Sequence, residues 1–217
     1  MVIRRVLSQP PERAQGAAAS GVPAETVPNW SDLELLNALA EQDPRAGGAL
    51  YDRLIRVVEW TILRVVGQRG PEHDDLVQSA FEQIVISLHR RRYARECSLT
   101  SWASAISCHI ALNALRARRR QRWLWSGARP ELEPSPRSDL ESQLAARQVL
   151  QRIRDELARM NRARAEVLVL HEVNGLELAE IARVLGISVA AAQSRLTRGR
   201  RELLQRLEPA SPKGELI

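Results

Sequence analysis

The sequence predicts an all-α protein made of two small helical domains joined by a flexible linker. Apolar residues recur at the three- and four-residue spacing of amphipathic helices, and no segment alternates in the manner of a strand. Aromatic residues make up only 4% of the 217 residues, so the cores rest mainly on aliphatic side chains, which favours helices over a sheet sandwich. A stretch rich in Trp, Gly, Pro and Ser at residues 123–137 separates the two helical parts and is typical of a linker.

The first domain is predicted at residues 30–122, after an arm of residues 1–29 whose Ala, Pro and Gly content and lack of a hydrophobic period indicate disorder. Ser31 and Glu34 have the spacing of a capping box and begin the first helix. Three more helices follow. The features that mark their starts and ends are Pro44, Gly67, Pro71, Ser98 and the basic run 116–122.

The second domain is predicted at residues 138–208, before a tail of residues 209–217. Ser138 and Glu141 repeat the capping-box spacing. They open a long polar helix that we expect to end near Leu157.

A helix-turn-helix pattern follows in the same domain. An apolar helix over residues 167–170 is broken at Gly175, and a short amphipathic helix comes next. Gly186 ends that helix, since glycine takes a left-handed cap without strain, and Ser188 caps the last helix. The apolar positions of the short helix are Leu178, Ile181, Ala182 and Leu185.

The last helix has two different faces. The predicted buried positions are Ala192, Leu196, Gly199 and Leu203. The positions predicted to point outward are Ala190, Ser194, Thr197, Arg198 and Arg201, with Gln193 and Arg195 on the flanks. The side chains near the helix start are small or hydrogen-bonding, and those farther along are basic. A helix that enters the major groove needs this arrangement, because slim polar side chains reach base edges and guanidinium groups reach phosphates. The alternative is a solvated, Arg-rich helix of an ordinary bundle, which the Leu-Gly-Ile-Ser turn before it disfavours.

The charge balance indicates a polyanionic partner. The net charge is +6 at pH 7, and Lys213 is the only lysine, so nearly every cation is an arginine. The planar fork of arginine suits phosphate. The codons of a GC-rich genome account for the ratio of Arg to Lys, but not for the excess of positive charge.

The sequence predicts no metal, no cofactor and no catalytic centre. Cys97 and Cys108 are the only cysteines and lack CxxC spacing, and Cys108-His109 has no second pair of ligands nearby. There is no phosphate-binding Gly loop and no Ser/His/Asp set, so we do not expect an enzyme. We find no secretory signal and no apolar run near the ~20 residues that span a bilayer, so we expect a cytoplasmic protein without membrane insertion.

Two groups of motifs resemble those of the extracytoplasmic-function (ECF) sigma factors, which are minimal sigma subunits of bacterial RNA polymerase. In the first domain they are Asp74-Asp75-Leu76-Val77-Gln78, Phe81, Ser98-Leu99, Trp102, Ile106 and the Arg-rich end. In the second they are residues 165–170, Gly175, Ala179-Glu180-Ile181-Ala182, Leu185-Gly186-Ile187-Ser188 and Ser194-Arg195-Leu196. The resemblance covers about residues 32–207 and matches the two domains to sigma regions two and four.

In this family, region two binds the polymerase core and melts the minus-ten promoter element. By resemblance, Asp75, Gln78 and Phe81 lie on or behind the surface that meets the coiled coil of the largest polymerase subunit. Ser79, which stands where the family often has Glu, is placed in the same group. From the apolar pattern alone, core positions are the favoured reading for Leu76, Val77, Ala80 and Phe81.

The resemblance also implies which residues contact the minus-ten element: Trp102, His109, Asn113, Arg116 and Arg119. The family commonly has Ile-Ala-Arg-Asn where this chain has Ile106-Ser107-Cys108-His109. Neutral His offers one donor and one acceptor at a geometry different from that of Asn. Two readings stay open: His109 takes over the base contact of the family's Asn, or it only packs against the apolar side of its helix. The connector at residues 90–98 matches the family's loop that captures a base taken out of the stack.

Region four reads the minus-thirty-five element, here with the outward residues of the last helix. Gln193 stands where Lys is usual, so a phosphate or guanine contact is lost or exchanged for an amide that reads adenine.

The resemblance implies a signal-responsive alternative sigma factor with three partners: RNA polymerase core, promoter DNA and an anti-sigma factor. The rival is a stand-alone helix-turn-helix regulator. Such proteins usually dimerise on palindromes, and we see no dimerisation helix beyond Arg206. A second rival is a protein-interaction module whose arginines only cover its surface.

Overall fold

A computed structural model describes residues 30–125 and 138–207, and every regular element in these ranges is an α-helix, which confirms the predicted fold class. The helices are α1 (Asp32–Ala40), α2 (Ala46–Val66), α3 (Pro71–His89), α4 (Leu99–Trp125), α5 (Ser138–Arg159), α6 (Arg162–Glu172), α7 (Leu178–Leu185) and α8 (Val189–Leu207). We call α1–α4 the N-terminal half and α5–α8 the C-terminal half.

Some predicted segments lie outside the described residues: the arm 1–29, the linker positions 126–137, the tail 209–217, and the side chains of the capping box at Ser138 and Glu141. Helix α4 continues to Trp125, so the first three positions of the stretch predicted as a linker are helical. The Trp and Leu side chains at these positions are compatible with a helix, and the first glycine in the stretch is Gly127.

The predicted capping box at the start of α1 is confirmed. The backbone N–H of Ser31 donates to Glu34 Oε2 at 2.7 Å, and the backbone N–H of Glu34 donates to Ser31 Oγ at 3.3 Å. These bonds satisfy two donors that have no partner inside the helix. They also lower the pKa of Glu34.

Helix α2 begins at Ala46, two residues later than the start predicted near Pro44. The side chain of Asp43 accepts the backbone N–H of Arg45 at 2.9 Å and pairs with the Arg45 guanidinium at 2.8 Å. These contacts hold the chain in a turn before the helix starts, and they lower the pKa of Asp43 to about 2.

Helix α2 forms the centre of the N-terminal half. Its apolar stripe packs against α3 and α4, and the largest fully buried side chains of this core are Leu35, Leu54, Val58, Ile62, Val65, Ile84, Leu99 and Leu112. The helix ends at Gly67, whose φ of 89° is left-handed, as its C-terminal position predicts.

In the C-terminal half, α8 packs across α6 and α7. The apolar run of α6 at residues 167–170 is buried, and Ile181 of α7 and Leu196 of α8 are buried in the same core. A Cβ atom at Gly199 would stand 3.3 Å from the carbonyl oxygen of Arg164, so glycine allows α8 to approach α6 closely.

The two halves pack against each other, with α4 contacting α5, α6 and α7. At the α2 side of this seam, Trp60 Nε1 donates to the carbonyl oxygen of Val173 at 3.3 Å, and Asn174 Nδ2 donates to Thr61 Oγ1 at 2.5 Å. Within the described residues, no helix combines the length and the apolar character needed to cross a bilayer.

Candidate nucleic-acid interface

The helix-turn-helix consists of α7, a three-residue turn and α8. Gly186 has φ 62° and ψ 39°, and the backbone N–H of Ile187 donates to the carbonyl of Ala182 at 2.9 Å, which closes α7. Ser188 Oγ accepts the backbone N–H of Ala191 at 3.1 Å and caps α8. These local bonds fix the direction in which α8 leaves the turn, and both predicted caps are confirmed.

The predicted buried face of α8 is confirmed, whereas Gln193 and Ser194 exchange the flanking and outward places predicted for them. Ala192, Leu196, Gly199 and Leu203 are its buried residues. Ala190, Gln193, Thr197, Arg198 and Arg201 are exposed, and Ser194 and Arg195 are half-buried at the edge. Gln193 Nε2 donates to Thr197 Oγ1 at 3.3 Å, so the amide is loosely held along its own helix.

The arginines of α8 divide into two groups. Arg200 pairs with Glu172 of α6 at 2.5 Å, and Arg206 pairs with Glu156 of α5 at 3.4 Å, so both hold the helix to its own half. In the described part of the chain, no hydrogen bond or ion pair engages Arg198 or Arg201. Their guanidinium groups therefore project from the outward face with their donors available to an anion.

A second candidate surface lies in a groove of about 670 Å³ between α3 and α4. Its lining includes Ser79, Ile86, Trp102, Ile106, His109 and Asn113, together with Val184 of α7.

The Trp102 ring packs on that of Tyr93 with centroids 5.1 Å apart, and the Tyr93 hydroxyl donates to the carbonyl oxygen of Cys97. Burial raises the pKa of Tyr93 to about 12. The connector at residues 90–98 is thus tied to the start of α4.

The predicted minus-ten residues differ in how accessible they are. Asn113 and Arg119 are exposed. His109 Nδ1 lies 3.1 Å from Glu166 Oε1 of α6. Arg116 is half-buried, and burial, followed by the nearby charge of Arg162, lowers its pKa.

A third candidate surface is a groove of about 600 Å³ between α2 and α3. Phe81 stacks on Tyr51 with ring centroids 4.9 Å apart, and Gln78 also lines the groove. Asp75 is exposed nearby on α3. Ser79 lines the α3/α4 groove instead, so the structure separates it from the polymerase-binding group in which the sequence placed it.

Sequence reasoning missed Tyr51 and Glu166. Tyr51 stands on the outer side of α2, and its pairing with Phe81 joins residues 30 positions apart. Glu166 reaches His109 from a helix 57 positions along the chain. Neither partnership leaves a periodic pattern in the sequence, because each depends on how helices pack.

Comparisons with known proteins match two separate parts of the chain. The family model "Sigma-70 region 2" matches residues 50–121, and "Sigma-70, region 4" matches residues 150–203. The chain is 27% identical over 181 residues to the ECF RNA polymerase sigma factor SigC of Mycobacterium tuberculosis, covering 82% of this chain and 95% of the relative. It is 29% identical over 196 residues to the RNA polymerase sigma factor CnrH of Cupriavidus metallidurans, covering 86% and 99%.

A solved structure also resembles this chain. The structure of CnrH in complex with the cytosolic domain of CnrY matches with a TM-score of 0.51 and 25% identity, covering 82% of this chain and 97% of that one. The region 2 match falls on α2–α4 and the region 4 match on α5–α8.

Proposed function

The chain belongs to the ECF group of the sigma-70 family, and we propose that it directs transcription initiation through three separate surfaces. Region two, the family's minus-ten and core-binding part, comprises residues 30–122, and region four residues 138–208. The observation that carries the proposal is the face of α8, where Arg198 and Arg201 project without a protein partner in the described residues beside the exposed Gln193.

The first surface is α8, which reads the minus-thirty-five element in the major groove. The tight glycine turn and the Ser188 cap hold the helix rigidly, which base readout requires. Ala190, Gln193 and Ser194 stand near the helix start, where they meet base edges, and the arginines farther along meet phosphates. The supporting contrast is that Arg200 and Arg206 are committed to ion pairs.

The second surface is α4 with its groove, which holds the unpaired strand of the minus-ten element. Trp102 offers an aromatic face on which a base stacks, and Asn113 offers donors and an acceptor. Arg116 and Arg119 continue along the same helix toward the strand's phosphates. Sigma factors are regulatory proteins. We therefore infer that binding energy drives promoter melting and that the chain catalyses no reaction.

The third surface is the α2/α3 groove, which meets the coiled coil of the polymerase core. Tyr51 is 49% exposed although it stacks on Phe81, and exposed aromatic residues beside polar ones are typical of interface anchors. Asp75 and Gln78 supply polar contacts at its edge. A coiled-coil partner presents an elongated ridge, which suits a groove between two helices.

An anti-sigma factor is the third proposed partner. The CnrH structure that this chain resembles contains the cytosolic domain of another protein, CnrY. We place the action of the chain in the cytoplasm, where the polymerase and the promoter are. The anti-sigma factor would keep the chain inactive by covering the surfaces described above.

The test is run-off transcription with purified core polymerase. Promoters are first located by mapping transcription start sites after overexpression, and templates from those sites are then transcribed with core alone, with the chain alone and with both. Promoter-specific transcripts only in the last mixture support the proposal. A chain that binds these sites tightly without core and yields no transcript with it is a stand-alone regulator instead.

A further inference from the structure

A cavity of about 440 Å³ lies beside the end of α2 and the start of α3, and three arginines line it. Arg118 and Arg122 stand four residues apart, on one face of α4, and Arg154 comes from α5. Glu72, in the first turn of α3, is the one carboxylate in the lining among the described residues. The proposed function uses none of these three arginines.

Two of the three arginines have carboxylate partners. Arg118 Nε donates to Glu72 Oε1 at 2.6 Å, and Arg122 pairs with Asp155 of α5. In the part of the chain that the structure describes, no hydrogen bond or ion pair engages Arg154. Arg154 therefore gives the cavity a positive charge that its surroundings do not neutralise.

The guanidinium groups at this cavity are also partly removed from water. Arg154 Nε and Arg118 Nη2 are buried, and neither has a hydrogen-bond partner within the described residues. Burial, followed by the nearby charge of Arg118, lowers the pKa of Arg154, whereas the charge of Asp155 acts in the opposite direction. A cation that is taken out of water without a partner costs free energy, and a bound anion offsets that cost.

The helix dipole of α2 is a weaker partner than an anion. Arg154 lies over Gly67, at the C-terminal end of that helix, where the dipole attracts a cation. Its strength corresponds to about half an elementary charge. The dipole accounts for the direction of the Arg154 side chain and leaves most of its charge uncompensated.

The rest of the lining indicates what else a ligand carries. Gln68, Gln121 and Gln151 line the cavity, and their amides offer both donors and acceptors, which suits hydroxyl groups. Val66 and Leu115 supply its apolar wall. No aromatic ring lines it in the described ranges, so it offers no platform on which a nucleobase stacks. A phosphate group on a hydroxylated carbon chain fits this lining better than a nucleotide does.

We propose that this cavity binds a small sugar phosphate, whose phosphate group pairs with Arg154 and whose hydroxyl groups meet the glutamine amides. A phosphate monoester carries between one and two negative charges and three acceptor oxygens, and a guanidinium group donates to it in a fork of two hydrogen bonds. Arg118 and Arg122 stand beside Arg154 and add to the attraction. The site lies apart from the three surfaces of the proposed function and does not depend on them.

Thermal melts of the full-length chain test the ligand. The buffer contains chloride at constant ionic strength, and the probes are inorganic phosphate, ribose 5-phosphate and ribose. We expect ribose 5-phosphate to raise Tm by about 4 °C at ten times its Kd, phosphate to raise it less, and ribose to leave it unchanged. Equal shifts with phosphate and ribose 5-phosphate overturn the hydroxyl contacts, and no shift with either overturns the site.

Arg154→Met is the test variant, and Arg147→Met, which removes an exposed cation two turns earlier on α5, is its matched control. Phosphate also stabilises proteins without a site, but that effect is shared by parent and variants. Loss of a charge-assisted contact is expected to weaken binding about tenfold, which leaves a shift of about 1 °C at the same concentration. The control should keep the full shift. An Arg154→Met variant that melts lower in every buffer yet keeps the full shift has lost only a structural contact, and this result overturns the proposal.

Broadening of the ³¹P resonance of ribose 5-phosphate measures binding independently of stability. If Arg154→Met does not fold, Arg122→Met replaces it, with about threefold weaker binding expected. The E131Q/E133Q variant tests whether the chain's own carboxylates, from the segment between α4 and α5, fill the cavity instead. We expect it to bind as the parent does. Binding that occurs only in E131Q/E133Q overturns the proposal, because the cavity is then occupied by the chain itself.

Discussion

The guanidinium group of Arg154 lies directly over Gly67, so that a Cβ atom on the glycine would stand 2.0 Å from Arg154 Cζ. The glycine ends α2 in the left-handed conformation, and the arginine reaches it from α5. A cation at the C-terminal end of a helix is favoured by the helix dipole. Gly67 therefore serves both as the cap of one half and as the docking point for the other.

Replacing Gly67 with Ala is expected to destabilise the chain by about 1 kcal/mol through backbone strain at positive φ. It should also displace Arg154, because the end of a long side chain moves more easily than a helix terminus. Urea unfolding measures the loss of stability. The rate at which iodoacetamide alkylates the buried Cys108, whose Sγ lies 4.0 Å from the carbonyl oxygen of Glu166 in α6, measures whether the loss of the Arg154 contact loosens the seam between the halves.

The matched control for Gly67 is Gly48→Ala in the first turn of the same helix, where an added Cβ meets nothing within 4 Å. We expect this change to be neutral or to stabilise by about 0.5 kcal/mol, because Ala favours the helix. A Gly67→Ala variant as stable as the parent would contradict the assigned strain.

The arginines of α8 give a second prediction. Arg198→Ala is expected to weaken binding to duplexes carrying the minus-thirty-five element by similar factors for all sequences and to reduce the slope of log K against log salt by about 1, as loss of one phosphate contact does. Arg200→Ala, in contrast, breaks the ion pair with Glu172. It should therefore lower the melting temperature and leave the slope of log K against log salt nearly unchanged. Fluorescence anisotropy over a salt series measures the slope for Arg198→Ala and Arg200→Ala, and thermal melts measure the stability of both variants. Equal slopes for parent and Arg198→Ala would remove this residue from the interface.

Gln193 gives a prediction about sequence preference. Gln193→Lys replaces an amide that can read adenine with a cation that prefers guanine or phosphate. Selection of binding sites from a randomised minus-thirty-five duplex should then change at one or two positions, with discrimination of about 1–3 kcal/mol at the affected base pair. An unchanged selected sequence would show that Gln193 does not read bases.

The caps and the buried face of the helix-turn-helix were predictable because their determinants are local. The left-handed cap at Gly186, the Ser188 cap and the four buried positions of α8 follow from spacing within about 20 residues, and each occurs as expected. The start of α2 was displaced by two residues because the side chain of Asp43 takes the Arg45 N–H, a bond that the apolar pattern does not record.

The seam between the halves was not predictable from the sequence. It depends on pairs such as His109–Glu166 and Trp60–Val173, whose members are 57 and 113 positions apart. Polar side chains on the surface of one helix carry no mark of which other helix will meet them. The resemblance named His109 as a DNA contact from its place in a motif, and the packing adds Glu166 as its partner.

Tyr93 gives a prediction about pH. Burial raises the pKa of its hydroxyl from 10.0 to about 12, and the nearby charges of Cys97 and Asp32 add to this. The folded state therefore binds the proton more tightly than the unfolded state, so the stabilisation is complete below about pH 10 and is lost as the pH rises toward 12.

The Tyr51→Phe variant leaves Tyr93 as the only tyrosine, so tyrosinate absorbance isolates its titration. We expect a midpoint near 12 in the folded protein and near 10.0 in guanidinium. Tyr93→Phe should remove the corresponding loss of stability at high pH. Identical midpoints with and without denaturant would show that Tyr93 is solvated.

Tyr51 also tests the polymerase surface. Its ring is 49% exposed while it stacks on Phe81, so truncation to Ala removes an interface anchor and leaves the buried core of α2 intact. Aromatic anchors are commonly worth about 2 kcal/mol or more, and we expect the affinity for core polymerase to fall at least about tenfold. The matched control is Val149→Ala, an apolar side chain of equal exposure on α5, which should leave the affinity unchanged. Competition with a labelled parent chain for core polymerase measures both. A Tyr51→Ala variant that competes as well as the parent would remove Tyr51 from the polymerase interface.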